Sequence, residues 1–241
     1  MIDFQQVCIS LGGRQILRDI TLHVREGEVF CIVGRSGVGK SVMIKQLVGL
    51  LRPDSGSIRF LDREVTQLDE EGLTALRKEC GMVFQHATLF DSMSCIDNVA
   101  LPILKHNDIR PHRARERALI YMTQVGVAHL ADRDPAMLGP GLRKLVAIAR
   151  TLTLEPKAIL FDEPTTGLDP LAARKFDALV SGPLRQSGMT QVIVSHDVRS
   201  IFEVADRVAM LHDGALRFLG TPKELETCED SVVVKFIQGQ P

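Results

Sequence analysis

The sequence predicts an α/β fold: a largely parallel sheet with helices on both faces and a helix-rich stretch inserted into it. Three observations lead there. Continuous apolar runs recur at Val29-Phe30-Cys31-Ile32-Val33, Ala158-Ile159-Leu160-Phe161 and Val192-Ile193-Val194, with a weaker one at Val208-Ala209-Met210-Leu211. Such runs suit strands buried on both faces, the condition of a parallel sheet. Helical segments lie between them, and strands alternating with helices build such a sheet. The stretch from about 87 to 150 reads as mainly helical and interrupts the alternation.

The remaining elements follow in chain order. Phe4, Val7 and Ile9, then Ile20, Leu22 and Val24, near-alternate around a turn at Gly12-Gly13, which predicts antiparallel strands at the amino terminus. From Lys40 to Leu51 the pattern turns helical, with Met43, Ile44, Leu47, Val48 and Leu51 on one stripe. Pro53-Asp54-Ser55-Gly56 reads as a turn and Ser57 to Phe60 as a strand. Residues 105–117 are rich in Lys, Arg and His. They read as a solvated loop and helix start, or as a face for anionic lipid headgroups. The weaker run ends at Asp213-Gly214, and there is no internal repeat.

Composition narrows the class of function. A chain of 241 residues is one domain with room for its own core. The formal net charge is −1 and aromatics are 5 %, with no Trp and only Tyr121. Neither the phosphate-neutralising excess of cations nor the aromatic platform of a nucleic-acid binder is there. Cys8, Cys31, Cys80, Cys95 and Cys228 are scattered and odd in number, which fits free thiols in a reducing compartment. The amino terminus lacks a basic start and an apolar stretch, so no signal peptide is expected. No apolar run approaches the roughly 18 residues of a membrane span. The expectation is a cytosolic protein, with any spans supplied by another chain.

Gly34-Arg35-Ser36-Gly37-Val38-Gly39-Lys40-Ser41 fits G-x-x-x-x-G-K-[ST] in full, after a buried strand and at the start of a helix. Glycines there let backbone N–H groups approach phosphate oxygens, and the helix dipole favours anions. Lys40 would bridge the β- and γ-phosphates and Ser41 would ligate Mg²⁺. Asp162 and Glu163 end the strand Ala158–Phe161. Asp162 would hold the metal, and Glu163 would orient and deprotonate the attacking water. Neighbouring residues on a strand face opposite ways, but where the strand ends and the chain turns both reach one crevice. His196 follows Val192–Ser195 and is a candidate γ-phosphate contact. Gln85 follows Gly81-Met82-Val83-Phe84 and would touch Mg²⁺ and the hydrolytic water.

These elements, in this order and spacing, resemble the ATP-binding cassette (ABC) ATPases from about residue 2 to residue 225. In family terms Gly34–Ser41 looks like Walker A, Gln85 the Q-loop, Asp162 and Glu163 Walker B with its catalytic glutamate, Gly167-Leu168-Asp169 the D-loop and His196 the switch histidine. The resemblance implies a P-loop NTPase (RecA-like) core over 1–86 and 151–225, with an amino-terminal antiparallel β subdomain. It places an inserted α-helical subdomain at 87–150 and a tail at 226–241. Within the family, Phe84-Gln85, Leu89-Phe90, Met93, Asp97-Asn98-Val99-Ala100, Pro102 and the tail Val233–Gly239 look most like the lipid-trafficking (Mla) branch. That branch works with Mce-domain proteins. The resemblance implies a dimer of nucleotide-binding subunits sandwiching two ATPs, each between one Walker A and the other subunit's signature loop. Closure and hydrolysis would drive a transmembrane permease from the cytoplasmic face of the inner (plasma) membrane.

Two departures stand out. The family's Leu-Ser-Gly-Gly-Gln signature reads Leu138-Gly139-Pro140-Gly141-Leu142 here, at the spacing before Asp162 that the family pattern expects. Gly139 removes a hydroxyl, Pro140 an N–H and Leu142 a side-chain amide. Gly139, Gly141 and the helix dipole remain, Pro140 suits a first helical turn, and Arg143 and Lys144 add positive charge nearby. Two lost donors to a charged phosphate at about 1.5–3 kcal/mol each would cost roughly 10²–10⁴ in rate or closed-state stability if they added. The chain is then a slow homodimeric ATPase, or pairs with a second ABC ATPase whose signature is normal. The second departure is Leu11, where many members place an aromatic ring against adenine. Leu11 can only pack, with Arg14 as a stand-in for stacking, so weaker adenine discrimination is expected. The leading function is the energising subunit of a lipid transporter. The alternatives are small-solute or lipoprotein transport, a non-transport ABC ATPase and a weakly hydrolysing regulatory nucleotide binder.

Overall fold

The computed structural model of the chain describes residues 1–239; Gln240 and Pro241, the end of the expected tail 226–241, lie outside the described residues. The hairpin expected around Gly12-Gly13 is β1 (Ile2–Leu11) paired antiparallel with β2 (Arg14–Val24). β3 (Val29–Val33) is buried at every residue. α1 (Lys40–Leu47) stops short of the expected Leu51. The cause is Gly49, at φ +66, where an added Cβ would come within 2.3 Å of Leu73 Cδ2. Leu51 still packs against the core from beyond the helix. β4 (Ser55–Phe60) takes in Ser55 and Gly56, which read as part of a turn. The turn is tighter because Asp54 is pinned to β1: its N–H donates to Cys8 O (2.8 Å) and its carboxylate accepts from Ser10 N (2.7 Å). β5 (Arg63–Glu64) completes a four-stranded antiparallel sheet of order β2-β1-β4-β5.

α2 (Glu70–Glu79) leads into β6 (Cys80–Val83). Three helices follow: α3 (Cys95–His106), α4 (Pro111–Val125) and α5 (Pro140–Leu152). Strand and helix then alternate as expected through β7 (Ala158–Asp162), α6 (Pro170–Leu179), β8 (Thr190–Ser195), α7 (Val198–Val204) and β9 (Arg207–His212). β10 (Ala215–Gly220) returns antiparallel after Asp213-Gly214, followed by α8 (Pro222–Glu226) and α9 (Ser231–Ile237). The second sheet has the order β10-β9-β3-β8-β7-β6, parallel apart from β10.

This sheet separates two apolar cores. Val29, Cys31 and Val33 of β3, with Ile159 and Phe161 of β7, face the core shared with α3, α4 and α5. Phe30, Ile32, Ala158 and Leu160 face the core shared with α1 and the antiparallel sheet. That two-sided burial is why these strands read as unbroken apolar runs. Phe161 and Phe176 meet edge-to-face with centroids 5.1 Å apart. Because β3, β6, β7 and β8 run parallel, their carboxyl ends open on one edge, where an α/β sheet offers its crevice.

The basic stretch 105–117 forms the end of α3 and the start of α4, and much of its charge is matched. Arg113 pairs with Glu116 (2.9 Å), Arg115 with Asp97 (3.0 Å) and Asp132 (3.7 Å), and Arg117 with Glu155 (3.9 Å). Among the described residues no helix is long and apolar enough to cross a membrane.

Candidate functional site

The loop Gly34–Gly39 leaves the carboxyl end of β3 and enters α1. Its path requires glycine at 34, where φ is +145 and a Cβ would sit 2.5 Å from Leu211 O. Arg35, Ser36 and Val38 complete the loop, and Val38 N–H donates back to Arg35 O (3.3 Å). Lys40 is buried, its ammonium donating to Gly34 O (2.9 Å) and Arg35 O (3.1 Å) and lying 3.5 Å from Glu163 Oε1. A buried ammonium needs such partners, and anionic oxygens entering the loop would meet the same charge. Ser41 donates to Asp162 Oδ1 at 2.5 Å, so a hydroxyl from the start of α1 and a carboxylate from the end of β7 already converge.

Glu163 reaches the cleft through its backbone. The strand ends at Asp162, and Glu163 adopts φ +50, a left-handed conformation unusual for a side-chain-bearing residue. That one angle turns two successive carboxylates toward one crevice. Its Oε2 accepts from Thr166 Oγ1 (3.0 Å) and lies 2.6 Å from His196 Nδ1. His196 follows β8 and is well exposed, while Glu163 is nearly buried. Gln85, just past β6, lines the same cleft with Gly37, Lys40, Ser41, Glu163 and His196.

The Ser41, Asp162 and Gln85 oxygens are hard donors of the kind Mg²⁺ takes. Among the described residues no three His, Cys, Asp or Glu cluster as an all-protein metal cage. These donors therefore suit an ion that completes its octahedron with substrate phosphates and water.

Gly139, Gly141 and Asp169 do not join this cleft. They line a second one, between the start of α5 and the loop before α6, with Leu168, Leu171 and Lys175. Gly139 is the N-cap of α5 with no side-chain cap bond, and Pro140 occupies the first turn. The Asp169 carboxylate accepts from Leu171 N and Ala172 N at 2.9 Å each, as the N-cap of α6. Leu11 sits at the tip of the β1–β2 hairpin opposite Arg14 and lines neither the catalytic cleft nor its neighbour. Ile16 lines both, and Arg14, Gln15 and Arg35 flank the neighbouring one.

Sequence reasoning missed Thr166 and Ile16, and took Lys144 only as positive charge near the signature loop. Lys144 lies on α5, buried, with its ammonium donating to Glu163 O (3.2 Å) and Thr166 O (3.4 Å). Burial holds its pKa below the ordinary lysine value, while the Glu163 and Asp162 carboxylates pull the other way. The one signal in the sequence is a charged residue within the apolar run that continues through Leu145, Val146, Ile148 and Ala149.

Comparison with known proteins identifies the family. Residues 17–166 match the ABC transporter family. The intermembrane phospholipid transport system ATP-binding protein MlaF of Haemophilus influenzae is 32 % identical over 240 residues, covering 100 % of this chain and 91 % of that protein. The arginine transport ATP-binding protein ArgV of Corynebacterium glutamicum is 37 % identical over 234 residues, covering 93 % of this chain and 92 % of that protein. The dimeric post-hydrolysis structure of the ATP-binding cassette MJ0796, bound to ADP and Pi, superposes with a TM-score of 0.85 at 29 % identity, covering 92 % of this chain and 99 % of that one. With its phosphate loop, paired carboxylates and histidine gathered at one sheet edge, this chain belongs to the ABC transporter family and is an ATP-hydrolysing, ATP-binding subunit of a transporter.

Proposed function

We propose that the chain hydrolyses ATP as one half of a dimeric pair of cassettes and energises a membrane permease that moves phospholipid. The observation behind the catalytic reading is the convergence of Lys40, Glu163 and His196 on one cleft. The loop amides and Lys40 bind the β- and γ-phosphates. Ser41, Asp162 and Gln85 would hold Mg²⁺, which would neutralise phosphate charge. Glu163 accepts a proton from the attacking water as oxygen bonds to the γ-phosphorus and the bond to the β–γ bridging oxygen breaks, leaving ADP and phosphate. His196 orients the Glu163 carboxylate and contacts the γ-phosphate.

Arg35, Ser36, Val38 and the adjoining glycines form the phosphate cradle. Gly139, Gly141 and Asp169, set apart in the second cleft, face the partner subunit's nucleotide. That partner is a second copy or a different ABC ATPase with a serine-bearing signature.

The phospholipid reading rests on MlaF, whose similarity spans this whole chain. It implies an Mce-domain protein in the assembly and a peripheral position on the cytoplasmic face of the inner membrane. A second reading, amino-acid transport, is favoured by the higher identity to ArgV. The test is to purify the chain from its native membrane with its permease, reconstitute the complex and measure ATP turnover against added phospholipid and added arginine. Stimulation by phospholipid with an Mce-domain protein in the complex supports the first reading. Stimulation by arginine with a solute permease replaces it with the second.

A further inference from the structure

We infer that Lys144 is a positioning residue for Glu163: its ammonium holds the turn 163–166 that aims the carboxylate into the cleft. The inference rests on the reading of Glu163 as the base.

α5 packs an apolar stripe of Leu145, Val146, Ile148, Ala149 and Leu152 into the core, and Lys144 is buried beside it at 3 % exposure. A buried ammonium is costly unless matched. Lys144 makes no ion pair among the described residues; its donors go to the carbonyls of Glu163 and Thr166, which bracket a single turn. That turn contains the positive φ of Glu163. Such a conformation persists where its surroundings over-determine it. Three restraints do so. Glu163 N–H donates to Val194 O (3.0 Å), Thr166 N–H donates to Glu163 O (3.3 Å), and Lys144 binds the carbonyl at each end. The first ties the turn to β8 and the second closes it on itself. The third comes from another helix and fixes the turn against the body of the protein. An apolar residue would fill the same space at less cost in desolvation, so the ammonium at this position answers to the two carbonyls.

The test has two readouts on the full-length chain. Hydrogen exchange without nucleotide reads the turn directly, through the Thr166 amide. Steady-state ATP turnover, in whichever assembly supports wild-type activity, reads its consequence. Lys144→Met keeps length and removes the donors; Lys144→Gln keeps a donor without the charge. The expected result for Lys144→Met is exchange at Thr166 faster by about tenfold or more while α5 amides keep their protection, with kcat down about 10²-fold and KM within about twofold. Lys144→Gln recovers most of both. Unchanged exchange and unchanged kcat in Lys144→Met overturn the inference. So does exchange that rises throughout α5 with a falling Tm and no recovery in Lys144→Gln, which is a purely structural lysine. If Lys144→Met does not fold, Lys144→Ala replaces it: alanine suits the helix and reaches neither carbonyl, so the same faster exchange and lower kcat are expected, and unchanged exchange with full activity there overturns the inference. Glu163→Gln runs alongside. If it retains turnover, the reading of Glu163 as base fails, while the exchange data still report on the turn.

Discussion

Nδ1 of His196 lies 2.6 Å from Oε2 of Glu163, and the other carboxylate oxygen, Oε1, lies 3.5 Å from Nζ of Lys40. One carboxylate thus connects Lys40 to His196 across the sheet edge. Lys40 is satisfied by two loop carbonyls and by Glu163. A triphosphate entering the loop competes for that ammonium and releases Oε1 toward water. On the proposed roles of Lys40 and Glu163, substrate binding and exposure of the base are then a single event.

Glu163→Gln tests this arrangement. The amide accepts no proton, and general-base catalysis is worth about 10²–10⁴-fold, so turnover falls by that order. Nucleotide binding holds or tightens, because Lys40 no longer has a carboxylate to leave. His196→Ala removes one contact to Oε2 and leaves Thr166 in place, so its loss of turnover is smaller. Single-turnover kinetics with a separate nucleotide-binding titration measure both. Equal losses in the two variants would count against Glu163 as the base.

Gly139→Ser tests the signature loop. Gly139 has φ −63 and ψ 160, ordinary N-cap geometry, and an added Cβ meets nothing within 4 Å. Serine therefore fits without strain, and a glycine N-cap differs from serine by only a few tenths of a kcal/mol in stability. A hydroxyl donated to a phosphate is worth about 1.5–3 kcal/mol, or roughly 10–10² in rate. The expected outcome is faster turnover by the chain alone at an unchanged Tm. Unchanged turnover would mean that the missing hydroxyl does not limit the homodimer.

Much of this fold was legible because its strands are buried on both faces, and an unbroken apolar run such as Val29–Val33 has few other uses. The phosphate loop was legible because its spacing is tied to a strand before it and a helix after it. What was hidden depends on three-dimensional placement. The early end of α1 turned on Gly49 meeting Leu73, a residue distant in sequence. The basic stretch looked like a charged face because its partners Asp97, Asp132 and Glu155 come from elsewhere in the chain. The contact of Lys144 with the turn after β7 was hidden because its partners are backbone carbonyls, which no side-chain pattern records. Leu11 was drawn in by its position along the hairpin, while the cleft is lined by Ile16.

Thiol labelling follows from the burial of the cysteines. Cys31, Cys80 and Cys95 are buried, and burial raises each thiol's pKa. The thiolate is the nucleophile, so these three are inert in the native state. Cys8 and Cys228 are partly exposed. A maleimide reagent under native conditions should modify Cys8 and Cys228 first, and the other three only after denaturation, as read by mass spectrometry of the intact chain and its peptides. Rapid native labelling of Cys31 would contradict the burial of β3.

Asp177 gives a pH-dependent prediction. Its carboxyl is 5 % exposed and accepts a hydrogen bond from Ser200 Oγ at 2.5 Å, joining α6 to α7. Burial raises its pKa, the nearby Glu203 and Asp197 carboxylates raise it further, and the Ser200 bond and Arg199 only partly offset this. A carboxyl whose folded pKa lies above its unfolded value holds its proton more tightly when folded. Its contribution to stability is then fully present below the ordinary carboxyl range and is lost as pH rises through the raised value. At neutral pH the ionised group is a net cost to the fold. Asp177→Asn removes the charge and keeps a carbonyl oxygen to accept from Ser200. Calorimetry should therefore show a higher Tm for Asp177→Asn than for wild type near pH ~7, with the gap closing toward pH ~4 as the wild-type carboxyl takes up its proton. A lower Tm near neutrality would mean that the α6–α7 contact needs the carboxylate itself. A gap independent of pH would mean that the gain comes from packing and not from the removed charge.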